Sequence, residues 1–157
     1  MISTEDYLWY VDQALDGMVA IVAELGDDLA NRRLDHPGAN SPYAVLTHCL
    51  GVMDYWAGSV VAGRAVERDR EAEFRASGPV RELVERAARA REQLRADLSR
   101  LDPEARPRGT PRPADVDLPL ARTQGGALVH VYEELAQHLG QLEVTRDVLF
   151  ARGVSVV

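Results

Sequence analysis

Apolar residues recur at alternating three- and four-residue steps in separate blocks along this chain. In the first block, Leu8, Val11, Leu15, Met18, Val22 and Leu25 trace one stripe, the pattern of an amphipathic helix packed in a bundle. Ser3 or Thr4 can cap it, and Glu5 and Asp6 fall in its first turn, where the helix dipole favours acidic groups. Gly26 offers a stop, and "DDLANRR" adds at most a short helical turn. "LDHPGANSP" is a loop rich in breakers. Ser41 then caps a second helix with Pro42 at its first position, running to about Gly63. Val45, His48, Val52 and Trp56 lie along one of its faces, with Cys49 and Met53 beside them.

"GRAVERDREAEFRASG" reads as a charged connector, in part helical. Pro79 opens a third helix that ends near Leu101, with Leu83, Ala87, Ala90, Leu94, Leu98 and Leu101 on its apolar side. Its arginines and glutamates form a solvated face with i,i+4 pairs. "DPEARPRGTPRPADVDLP" holds five prolines and is a long crossover loop rather than a helix. A fourth helix starts between Thr123 and Ala127 and ends by Gly153. Its seam is Leu128, Val131, Leu135, His138, Leu142, Thr145 and Leu149, in unbroken 3-4 steps. With no alternating strand pattern of useful length, the chain reads as an all-α four-helix bundle.

One of those seam positions is ionisable. His138 stands where a leucine is expected, and Glu134 lies one turn before it on nearly the same face. A carboxylate and an imidazole at i,i+4 can converge on one cation without distorting the helix. His48, on an apolar face of the second helix, is the natural third donor. Two nitrogens and one carboxylate oxygen suit zinc first, and also nickel or iron. Three protein ligands leave a position open, as in catalytic rather than structural zinc sites. Each residue also has a plainer reading. A lone histidine on an apolar face is commonly a core residue bonded to a carbonyl or carboxylate, and Glu-x-x-x-His pairs also occur on surfaces. His130 could pair with Glu134 instead, but it lies about 12 Å from His138 along the axis at 1.5 Å per residue. The two therefore do not share an ion, and His130 either lines the mouth of the site or caps against the preceding loop.

Other positions carry paired readings. Trp56, two turns past His48, either walls a pocket or packs in the core. Gln141, three residues past His138, is either a polar group of the pocket that supports the histidine or a solvated side chain. Arg146 and Asp147 read as surface or interhelix ion pairs. Arg68, Asp69, Arg70, Glu73 and Phe74 form a charge-dense segment that shapes the rim of the site or a dimer contact, unless it is a solvated face. Cys49 points about 100° away from His48 and reads as a small buried core residue, not a nucleophile.

Composition narrows the partners. The chain has 157 residues, 46% apolar and 27% charged, an ordinary balance for a globular domain. A net charge of −7 excludes a general nucleic-acid binder and attachment to anionic membranes, both of which need a basic surface. No apolar run approaches the roughly 18 residues of a membrane span. "MISTEDYLWYVDQ" lacks the features of a signal peptide, so a cytoplasmic location is expected. A single cysteine allows no intrachain disulfide. All 18 basic residues are arginine, the mark of a GC-rich genome such as an actinobacterium's.

"SPYAVLTHCLGVMDYW", followed far downstream by "LVHVYEELAQHLGQLEVTRDVL", resembles the DinB-like superfamily over nearly the whole chain. Within it, the sequence is similar to the actinobacterial branch related to mycothiol-dependent maleylpyruvate isomerase and mycothiol S-transferases. The resemblance implies one domain over residues 1–157, folded as a four-helix bundle in up-down-down-up order with a long crossover. It implies a divalent metal held by His48, Glu134 and His138, with glutamate at the first position of the last-helix pair as in the isomerase branch. That branch carries an extra C-terminal domain, for which a chain ending at Val157 has no room. A single-domain S-transferase acting on a small electrophile, with mycothiol as co-substrate, is therefore the expected activity. A non-catalytic or vestigial metal module and a metal-assisted hydrolase are the alternatives. A homodimer through helix faces is compatible with such a bundle but is not fixed by the sequence.

Overall fold

Helix caps and chain breakers divide the protein where the pattern predicts. The computed structural model describes residues 2–153, with side chains to Ala151, so the domain limits expected at residues 1 and 157 lie outside it. It has five α-helices and no strand among the described residues: α1 Thr4–Ala30, α2 Pro42–Met53, α3 Arg70–Glu73, α4 Val80–Asp97 and α5 Gln124–Gly153. Ser3 caps α1 through a reciprocal capping box: its Oγ accepts from Asp6 N at 3.0 Å while the Asp6 carboxylate accepts from Ser3 N at 3.3 Å. Ser41 caps α2 in the simpler way, accepting from Ala44 N with Pro42 behind it.

Gly26 breaks the first helix as expected: it takes φ 63° and ψ 178°, and a short turn of helix follows over residues 27–30. Tertiary bonds hold that last turn in place. Asp27 Oδ1 accepts from Val80 N at 2.7 Å, supplying a partner for a backbone donor that the start of α4 leaves free. Asn31 pairs with Gly78 in both directions, at 2.9 and 3.0 Å.

Beyond Met53, α2 widens into a π-helical stretch over Asp54–Val61 that ends close to the expected limit at Gly63, itself at φ 75°. Such insertions often accompany functional sites. Here the crossover packs on the widened turn. Gly109 N donates to Val60 O at 3.1 Å, and a Cβ at Gly109 would stand 1.9 Å from Ser59 O, so only glycine permits the approach. The crossover is otherwise irregular, as its prolines require, apart from a 3₁₀ turn at Pro119–Ala121.

The core forms between α1, α2, α4 and α5. α1 packs on α4 and α5, and α2 with its π-helical extension packs on α4 and α5. Val11, Leu15, Met18, Leu46, Leu83, Leu135 and Leu142 are fully buried there. Ion pairs lace the outside. Arg91 and Arg95 of α4 reach Asp12 and Asp16 of α1, and Arg64 joins Asp54 to the buried Asp97. Arg146 pairs with Asp147 and reaches Glu24 across helices, as its position suggested. No helix of the described residues is long and apolar enough to cross a membrane. The expected fourfold set of long helices is present, and the charged connector adds α3, a single turn capped by Asp69 Oδ1 on Ala72 N at 2.9 Å.

Candidate metal centre

Every seam residue of α5 is buried except His138. The seam turns its imidazole toward α2, at the edge of the core, where 23% of the side chain meets solvent. Glu134, one turn earlier, is 26% exposed beside it. His48, supplied by α2, is almost wholly buried between them and the connector. Its Nε2 lies 3.3 Å from Glu134 Oε2, and His138 Nε2 lies 3.3 Å from the same oxygen. One donor atom from each of the three residues falls within 4.8 Å of the others.

These spacings fit a cation. A tetrahedral ion with bonds of about 2.1 Å holds its donors roughly 3.4 Å apart. Both histidine–glutamate separations are already close to that value. The donor set is also chemically apt. His138 Nδ1 donates to Gln141 Oε1 at 2.8 Å, and His48 Nδ1 donates to Glu73 Oε2 at 2.8 Å. A ring that donates only through Nδ1 keeps its Nε2 lone pair for a cation held beside Glu134; without a cation, an Nε2–H can bond that carboxylate instead.

The remaining candidates fall around this centre. His130 does not join it. Its Nδ1 donates to Glu133 Oε2 at 3.0 Å, its Nε2 lies 3.6 Å from the other oxygen of Glu134, and it meets Trp56 edge-on at 5.1 Å. It therefore stands beside the three residues rather than among them. Trp56 is buried in the core with its ring against His130. Gln141 is solvent-exposed and bonded to His138. Cys49 is buried in the core, and burial pushes its thiol far above the ordinary range, unsuited to nucleophilic work.

The connector holds what the sequence pattern missed. Arg68 and Glu73 are both buried rather than solvated: their side chains are 6% and 9% exposed. Arg68 grips Glu73 with two nitrogens, at 2.7 and 2.9 Å. Phe74 stacks on the His48 ring at 4.5 Å, with the Arg70 guanidinium over its far side. Charge density around one phenylalanine marked the segment as interesting. Nothing in the sequence said which of its carboxylates turns inward, because that depends on the path of a connector with only one helical turn.

Electrostatics follow from the contacts. Burial alone would lower the His48 pKa, but hydrogen bonds to Glu134 and Glu73 outweigh it and raise the value above the ordinary 6.5. Hydrogen bonds from His138 and then His48 hold Glu134 far below the ordinary 4.5, against a smaller opposing effect of burial. Linkage gives the sign of each contribution to metal-free stability. That of Glu134 is present above its unfolded pKa and is lost as pH falls toward the folded one. That of His48 is present below its unfolded pKa and is lost as pH rises through the folded one. Both are complete between pH 4.5 and 6.5. The urea midpoint of the metal-free protein should peak in that window, and a midpoint that climbs steadily past neutrality would contradict the pairing.

None of the curated proteins matches the chain at significance. The family model described as mycothiol-S-transferase matches residues 7–150, a span that includes α2, the connector and the ligand-bearing part of α5. With that match extending over nearly its whole length, the chain belongs to the mycothiol-S-transferase family.

Proposed function

We propose that this protein is a metal-dependent S-transferase that joins a low-molecular-weight thiol of the mycothiol type to a small electrophile. The observation that carries the reading is the convergence of His48, Glu134 and His138 from two helices at the edge of the core, with both Nε2 atoms facing one carboxylate oxygen. We take the long helices as a four-helix bundle in up-down-down-up order, with residues 102–122 as the crossover, and zinc as the first choice of metal. When bound, such an ion supplies positive charge that stabilises the thiolate form of a thiol near neutral pH.

The residues of the chain do the rest. His48 and His138 are each pinned through Nδ1, which holds the donor set in place without rearrangement. The partial exposure of Glu134 and His138 leaves the centre accessible, which favours a working site over a closed structural one. Phe74, half-buried and stacked on the His48 ring, gives the site an aromatic flank beside which an organic electrophile can lie. In the reaction the thiol gives up its S–H proton to solvent and its sulfur electron pair forms a bond to the electrophilic carbon, which releases a leaving group with its electron pair or, where there is none, breaks a π or ring bond whose electron pair takes up a proton from solvent.

The test compares zinc-loaded and chelated protein with a small thiol and a model electrophile, measuring conjugate. Removal of metal should reduce conjugation to the uncatalysed rate. It should shift the melting temperature only by the amount expected for a ligand that binds the native state. Conjugation that survives full chelation rejects metal dependence. Loss of the fold on chelation points instead to a structural metal module.

A further inference from the structure

The buried pair of Arg68 and Glu73 is unusual for a connector. Its acid lies 2.8 Å from His48 Nδ1 and accepts from two nitrogens of Arg68, one of which also stands 3.4 Å from that Nδ1. A buried carboxylate with such partners is fixed in position, since its oxygens are bonded on several sides and the guanidinium fork allows one orientation. Arg68 also balances its charge, so that a second anion is not added beside Glu134. Behind Arg68 the contact chain runs on. The guanidinium lies over the Tyr55 ring at 5.7 Å, and the Tyr55 hydroxyl donates to Asp115 Oδ2 at 3.0 Å and accepts from Arg112 N at 2.9 Å. The pair is thereby braced between α2 and the crossover.

Space for it comes from one residue. Gly51 lies three positions past His48 in the interior of α2, where glycine is unfavourable relative to alanine. A Cβ there would stand 2.0 Å from Glu73 Oε1, 2.6 Å from its carboxyl carbon and 3.3 Å from Arg68 Nε. The missing side chain is the gap that the ion pair fills. Ligand histidines in metal sites commonly donate their second N–H to such a carboxylate, which fixes both tautomer and ring direction.

We propose that Glu73, clamped by Arg68 in the space over Gly51, is the positioning residue of the metal centre. It holds His48 in the Nδ1–H tautomer and aims Nε2 at Glu134 and His138. The proposal rests on reading those three residues as a cation site, but its central claim about the tautomer can be tested without a cation.

Nitrogen NMR of histidine-labelled, metal-free protein at alkaline pH reports the tautomer directly. The wild type should show His48 protonated at Nδ1. In Glu73→Gln the amide oxygen stays with Arg68 and the amide NH₂ faces the ring, so His48 should switch to the Nε2–H form. Gly51→Ala, which displaces the pair and alters no contact atom, should weaken the same signature. Zinc affinity by chelator competition should fall about 10- to 100-fold in both variants, the usual worth of an outer partner to a ligand histidine. A wild-type His48 protonated at Nε2 overturns the proposal. So does a Glu73→Gln protein that loses urea stability while keeping tautomer and affinity, because the pair is then only a structural tie. Expected tautomers in a wild type that binds no zinc would reject the cation site and uphold the positioning of His48 by Glu73.

Discussion

His48→Ala is expected to eliminate tight metal binding and, with it, conjugation above the uncatalysed rate. His48 is the only one of the three donors that α2 supplies. Without it, Glu134 and His138 remain as a half-exposed pair one turn apart on a single helix, a common surface arrangement with little hold on a cation. The loss should exceed the roughly 10- to 100-fold attached to an outer partner such as Glu73. Calorimetric titration with zinc and a conjugate assay with thiol and electrophile measure it. The neighbouring Cys49→Ala is the control. Its thiol is buried and held protonated, so conjugation should persist in proportion to folded protein. A His48→Ala protein that conjugates at the wild-type rate would falsify the assignment of the centre. The fold should tolerate the loss of the ring better than the site does, because Glu73 keeps its two bonds to Arg68.

Leu135→Ala should produce the largest loss of stability among single truncations next to the site. Leu135 has no exposed surface and sits one residue past Glu134, on the seam that joins α5 to the core. Truncation removes buried methyl groups and leaves a cavity that closely packed neighbours fill only in part, which costs about 2–5 kcal/mol. The urea midpoint should fall accordingly. The adjacent Tyr132→Ala, at 36% exposure on the outward side of the same helix, tests whether the seam rather than α5 in general carries this load. Its effect should be much smaller than that at the seam. If Tyr132→Ala and Leu135→Ala cost the same, the division of α5 into buried seam and outer face is wrong. In Leu135→Ala, conjugation per folded molecule should stay near wild type, since no donor atom of the centre is removed.

Much of this arrangement is legible in the order of residues. The seam of α5 is a regular 3-4 series that holds one imidazole, and both halves of that observation survive in the structure. His138 is the one seam position not buried, which is why a polar side chain is tolerated there. The caps at Ser3 and Ser41 are local, set by a hydroxyl and the next three residues, and they form where expected. Gly26 was legible only in part. A glycine at positive φ interrupts a helix from any context, but whether helix resumes depends on distant partners, here Val80 and Gly78. The π-helical turn after Met53 is a choice among closely related helical geometries, and it accompanies the packing of Gly109 of the crossover on Ser59 and of the Arg64 side chain on Gly58.

The site divides along the same line. Glu134 and His138 are bound together by helical geometry alone, since four residues bring side chains to one face whatever the rest of the chain does. Local pattern could name His48 as a polar residue on an apolar face, but not as their partner. Only the packing of α2 against α5 brings its Nε2 to within 3.3 Å of Glu134. Glu73 and Arg68 lie further still from what sequence decides. They belong to a connector whose route across α2 is fixed by a bare glycine, a stacked phenylalanine and an arginine that reaches toward the crossover. The sequence by itself determined the helices, their buried faces and the pairing within a turn, because those depend on contacts close along the chain. Tertiary structure decided which imidazole meets which carboxylate, because that depends on the relative placement of segments that no short-range periodicity encodes.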